Sequence, residues 1–147
     1  MAAMGDNDMK PIVAAGRNCW RIERADKARM VVDAADYYAL LERLMADAKQ
    51  RILLIGWDFD PRIALKPDER GQGTPLGHYL LRLARALPDR DIDILRWNFG
   101  GLKQFAMPRI LAMVLRWKVP RSISFRLDSA HPLGCSHHQK VAVFDDH

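Results

Sequence analysis

The chain has 147 residues, 49% of them hydrophobic and 28% charged, with a formal net charge of +5. That length supports one domain with a real core, the balance is an ordinary globular one, and no apolar run approaches the ~20 residues needed to span a bilayer. The excess of 23 Lys and Arg over 18 Asp and Glu favours anionic partners, phospholipid headgroups or nucleic acid, without choosing between them.

The start, Met1 to Lys10, carries Asp6 and Asp8 and has no hydrophobic stretch, so it does not read as a secretory signal. The expectation is a cytoplasmic protein, with a disordered tail over residues 1–18 and a domain over residues 19–147. The two cysteines, Cys19 and Cys135, form no Cys-x-x-Cys pattern, which argues against zinc and for two free thiols.

Trp20-Arg21-Ile22 and Ala28 to Val32 are short enough and apolar enough to pair as two strands. Asp33 suits a helix N-cap. Tyr38, Leu41, Leu44, Met45 and Ala48 then recur at helical spacing, which predicts a helix over Ala34 to Lys49. Ile52 to Ile55 is a continuous apolar run, as expected for a strand buried on both faces. It opens into Trp57-Asp58-Phe59-Asp60-Pro61.

Lys66 to Thr74 is a polar, Gly-rich loop, and Thr74-Pro75 starts a second helix. Its buried stripe reads Leu76, Leu80, Leu83, Ala84 and Leu87. Ile92 to Trp97 is the next strand, broken by Asn98-Phe99-Gly100-Gly101, which lacks the Gly-Lys-Ser/Thr of a nucleotide loop. Leu102 to Val119 is apolar with interspersed cations. It suits a membrane-surface helix, although packing on the sheet is the favoured reading. Ile123, Phe125 and Leu127 alternate with polar residues as a strand does. Asp128 to Ser136 is a turn-rich loop leading into an apolar strand that carries His138-Gln139-Lys140. Strands alternating with helices predict an α/β fold, with a mixed, mainly parallel sheet flanked by helices.

His138 and Lys140 are the chemically informative pair. On a strand, residues two apart share a face and lie roughly 7 Å apart at the backbone. The imidazole can then attack or carry a proton while the ammonium holds a phosphoryl oxygen. To attack, His138 must be neutral with an available ring nitrogen, which a nearby cation or carboxylate can tune. Asp145 lies roughly 23 Å further along an extended chain and on the opposite face. It is expected to support the backbone of the motif rather than to orient His138. His78, His131 and His137 lack a Lys two residues on and are read as packed or solvated. Trp57 and Asp58 follow a buried strand, where α/β proteins bind ligands. The favoured reading there is Trp57 and Phe59 filling core and the aspartates capping the strand exit.

The pattern His138-x-Lys140-x-x-x-x-Asp145 resembles the signature of the phospholipase D superfamily. The preceding helix, the strand ending Gly56-Trp57-Asp58-Phe59-Asp60, and Trp97-Asn98 after another strand are similar to the N-terminal half of bacterial phospholipase D and cardiolipin-synthase-like proteins. The resemblance runs from about Trp20 onward. It implies His138, Lys140 and Asp145 as the candidate catalytic set. It also implies a phosphodiesterase or phosphatidyltransferase acting on glycerophospholipids through a phosphohistidine, with no metal or other cofactor required. Lys140 would offset charge on the phosphoryl oxygens.

Family members continue with a glycine and an asparagine or serine after the motif aspartate. Two-motif members carry a second His-x-Lys, of which this sequence has one copy. The expectation is therefore a single-motif half, completed by a second half in a longer chain or by a homodimer, with peripheral membrane contact. A nuclease of the same superfamily and a non-catalytic truncated fragment are the alternatives. Nucleic acid ranks second as substrate, because basic and aromatic residues are not interleaved as single-strand binders require.

Overall fold

A computed structural model describes residues 11–68, 70–97, 119–132 and 134–146. Two compact units result, Met1–Val31 and Val32–His147, a division later in the chain than the expected boundary at residue 18. The expectations for Met1 to Lys10, for Asn98 to Gly101 and for most of Leu102 to Val119 lie outside the described residues.

In the first unit the two expected strands are absent. Residues 21–25 and 27–31 have no regular structure. What order there is comes from a turn. The Asn18 side chain accepts from the Ala14 N–H and donates to the Ile12 carbonyl, at 2.7 and 2.8 Å. Gly16 supplies the positive φ of 77° that the turn needs.

The second unit is α/β. It comprises helix α1 (Ala34–Asp47), strand β1 (Arg51–Gly56), helix α2 (Leu76–Ala86) and strands β2 (Asp91–Trp97), β3 (Ile123–Asp128) and β4 (Val141–Phe144). The sheet order is β3-β2-β1-β4. β1, β2 and β3 run parallel, and β4 is antiparallel to β1. The sheet is thus mixed and mainly parallel as expected. β4, however, does not pair with its chain predecessor β3; it crosses to the other edge.

Asp33 caps α1, its carboxylate accepting from the Ala35 N–H at 2.7 Å. The helical stripe meets the sheet through Leu41, Met45 and Ala48, which are buried, while Leu44 turns outward. In α2 the buried residues are Leu76, Gly77, Tyr79, Leu80, Leu81 and Ala84. The expected Leu87 is exposed, because the helix ends one residue before it. The Tyr79 hydroxyl donates to the Glu42 carbonyl at 2.9 Å and links the two helices. Burial raises its pKa.

Both helices share one core with Ile52, Leu54, Ile92, Ile94, Ile123, Phe125, Ala142 and Phe144. Those positions alternate along their strands, so the core lies on one face of the sheet. Ile52 is fully buried, whereas Leu53, Leu54 and Ile55 are partly buried, less than the full burial that the apolar run of β1 suggested.

Arg90, just ahead of β2, is 1% exposed. Its guanidinium donates to the carbonyls of Met45, Ala48 and Leu83, at 3.3, 2.7 and 2.8 Å. A buried cation thus satisfies the carbonyl-rich C-terminal ends of both helices at once. Burial lowers its pKa, and the neighbouring Tyr79 and Asp145 oppose that shift. Arg90→Ala would leave these carbonyls without their donor. We expect a loss of about 3 kcal/mol of stability, read from the urea unfolding midpoint, with Arg90→Lys recovering only part of it.

Candidate active site

Parallel strands end together, so β1, β2 and β3 deliver their C-terminal residues to one end of the sheet. β4 enters from that same end, because it is antiparallel and its first residue, Val141, pairs with Ile55 of β1. Ligands of open α/β sheets bind at this carboxyl end.

His138 and Lys140 lie in the exposed, extended approach to β4 rather than within the strand, which begins at Val141. They nevertheless stand side by side. The Lys140 Nζ is 3.4 Å from both Nδ1 and Nε2 of His138. In neutral imidazole one ring nitrogen carries the in-plane lone pair and the other an N–H, and an ammonium equidistant from both is not aligned with that lone pair. The cation sits beside the ring without occupying the nitrogen that would attack. Among the described residues, no carboxylate is paired with Lys140. Its charge stays available to an incoming anion.

A chain of rings leads away from His138. The His138 ring lies 5.7 Å from the Trp57 ring, tilted by 54°. Trp57 in turn stacks on Trp97 at 5.7 Å and 16°. His131 tilts against Trp97 at 5.5 Å, and His137 meets His131 edge-on at 5.9 Å. His137 Nε2 is also 3.7 Å from an Asp128 carboxylate oxygen at the end of β3. His131 is thus half-buried against Trp97, and His137, exposed, lies against His131. Trp57 departs from expectation: it is 40% exposed and touches His138 instead of filling core.

The neighbouring aspartates behave structurally. Asp58 accepts from the Phe59 N–H at 2.8 Å and pairs with Arg96 at 2.9 Å. Phe59 joins the core, edge-on to Phe125. Asp60 is bonded by Arg62 through backbone and side chain, and those bonds hold its pKa down at about 2. Its contribution to the turn is full above the ordinary value of 3.8 and is lost as pH falls from there through about 2.

Asp145 stands apart from the pair, past the far end of β4. Its carboxylate accepts from the backbone N–H groups of Lys49, Gln50 and Arg51, at distances from 2.8 to 3.1 Å. Its own N–H donates to the Arg51 carbonyl at 3.0 Å. Asp145, grouped by the family resemblance with His138 and Lys140, thus fastens β4 to the turn between α1 and β1, the backbone-supporting place expected of it. The two cysteines are free thiols. Among the described residues no three His, Cys, Asp or Glu side chains gather as a metal site, and no helix is long and apolar enough to cross a membrane.

Sequence reading missed the Trp57–Trp97 stack, yet a signal was present. In the β1–β2 register Arg51 pairs with Asp91 and Gly56 with Arg96, which brings the next residues, Trp57 and Trp97, abreast. Neither a scan against protein-family models nor a search of curated proteins finds a match, so the chemistry is argued from these residues.

Two outcomes test this geometry. Trp57→Ala should shift the ring-proton resonances of His138 in a histidine-selective NMR spectrum while leaving those of His78 on α2 in place. Asp145→Ala should cost about 3 kcal/mol in urea unfolding, and Asp145→Asn, which keeps one acceptor oxygen, roughly half of that.

Proposed function

We propose that this chain supplies the nucleophilic half of a phospholipase D-type phosphodiesterase, acting on glycerophospholipids by hydrolysis or by transfer of the phosphatidyl group to another alcohol. The observation that carries the reading is the exposed His138 ring with the Lys140 ammonium 3.4 Å from both of its nitrogens. An imidazole beside a cation that no described carboxylate neutralises suits attack on an anionic phosphodiester.

A ring nitrogen of His138 forms a bond to phosphorus as the bond to the leaving alcohol oxygen breaks. Lys140 balances the negative charge on the non-bridging oxygens. The leaving oxygen takes a proton from a second imidazole. That imidazole then removes a proton from water or an acceptor alcohol, whose oxygen displaces His138 and restores the free ring. The second imidazole comes from another His-x-Lys element, in a second copy of the chain or in another segment of polypeptide. Trp57 limits the rotation of the His138 ring.

Nucleic acid is the second reading of the same chemistry. The ring stack of Trp57, Trp97 and His131 favours it, since stacked aromatics suit bases. Salt separates the two. Nucleic-acid binding falls steeply with ionic strength, whereas lipid binding keeps an apolar, salt-insensitive part.

The deciding experiment traps the full chain with a short-chain phosphatidylcholine and maps the adduct by mass spectrometry without acid. The expected mass increment is on His138 and is absent in His138→Asn. Lys140→Ala should slow its appearance about 100-fold. An increment that survives His138→Asn overturns the assignment.

A further inference from the structure

The first compact unit, Met1–Val31, has no part in the chemistry above, and its surface is unusual. Ile12, Trp20 and Met30 are 90%, 87% and 86% exposed, and Val13 and Ile22 are about half exposed. Large apolar side chains seldom stand this far into water, and several in one short segment suit an interaction surface. Cations are interleaved with them. Residues 11–31 contain Arg17, Arg21, Arg24, Lys27 and Arg29 against Glu23 and Asp26. Arg21 is bonded to Glu23 and Arg24 lies 3.6 Å from Asp26. Arg17, Lys27 and Arg29 add positive charge beyond those pairs. The Arg21 guanidinium also lies 5.9 Å from the Trp20 ring.

We infer that this unit is a membrane-surface arm that docks on anionic phospholipid, with Trp20 and Met30 entering the headgroup layer and Arg17, Lys27 and Arg29 reading its charge. Each component fits that occupant. Indole rings prefer the membrane–water boundary. Basic residues gain attraction from anionic headgroups. Irregular backbone, excluded from hydrocarbon, is tolerated in the headgroup layer because water still reaches its amides and carbonyls. A second protein or a nucleic acid would use the apolar residues and the cations separately; an anionic bilayer surface uses both.

This places membrane contact on the first unit rather than on the cationic stretch from Leu102 to Val119. It is independent of the phosphohistidine, and the test keeps the two apart. The full chain is sedimented with vesicles of phosphatidylcholine alone and with vesicles containing about one third phosphatidylglycerol. Co-sedimentation with the anionic vesicles only is expected, with a blue shift of indole fluorescence. Trp20→Ala should weaken binding about 20-fold and remove most of the blue shift. Joint replacement of Arg17, Lys27 and Arg29 by Gln should weaken it about 100-fold.

Trp20 and the three cations are exposed, so each variant should keep the unaltered unfolding midpoint. His138→Asn should pellet like the unaltered chain whether or not the chemistry is right. Pelleting that neither variant reduces would overturn the proposal, as would no pelleting with anionic vesicles. So would a discrete dimer in size exclusion that Trp20→Ala converts to monomer, or binding to a single-stranded oligonucleotide that outcompetes the vesicles.

Discussion

The peptide between α1 and β1 is gripped from two sides by opposite charges. On one side the Arg90 guanidinium takes the carbonyls of Met45 and Ala48. On the other the Asp145 carboxylate takes the N–H groups of Lys49, Gln50 and Arg51. A helix end normally leaves its last carbonyls to water. Here they are buried, and leaving them unpaired would cost about 1–3 kcal/mol each. The two charges need no direct contact. Each saturates its own set of backbone groups, and together they let a helix run into a central strand without a long connection.

That grip reaches the site through register. Asp145 follows β4 directly, and its N–H continues the bonding to Arg51. With one end of β4 fixed, Phe144 faces Ile52 and Val141 faces Ile55. The residues just before β4 are thereby brought to where β1 gives way to Trp57. A slip of one residue would turn every β4 side chain to the opposite face, removing Ala142 and Phe144 from the core and His138 from the Trp57 ring. Asp145 thus acts on His138 from the other end of the strand. The stretch from His138 to Asp145 reads physically as a short strand with the His138–Lys140 pair leading into it and an anchor directly after it.

The crossing of β4 to the far edge has a similar logic. If β4 had paired with β3 as a hairpin, His138 and Lys140 would lie beside Asp128 at the edge of the sheet. Pairing with β1 instead puts them at the opposite edge, beside the strand that leads into Trp57, whose ring stacks on Trp97. The long loop from Asp128 to Lys140 makes that crossing, and it carries His131 onto the Trp97 ring and His137 against His131 as it passes.

Local pattern alone determined much of this protein. Apolar periodicity placed helices α1 and α2 and strands β1, β2 and β3 within a residue or two and β4 three residues too early, while it also offered two strands before Asp33 that did not form; Asp33 announced its cap. Those properties depend on neighbours a few residues away, which the chain order states outright. The tertiary structure decided what no neighbour reveals. It chose β1 as the partner of β4, set Trp57 against His138 instead of in the core, and buried Arg90 among helix carbonyls. Each of these turns on groups tens of residues apart in sequence, and on whether buried polar atoms find partners once the sheet has formed. That condition can be met only in three dimensions.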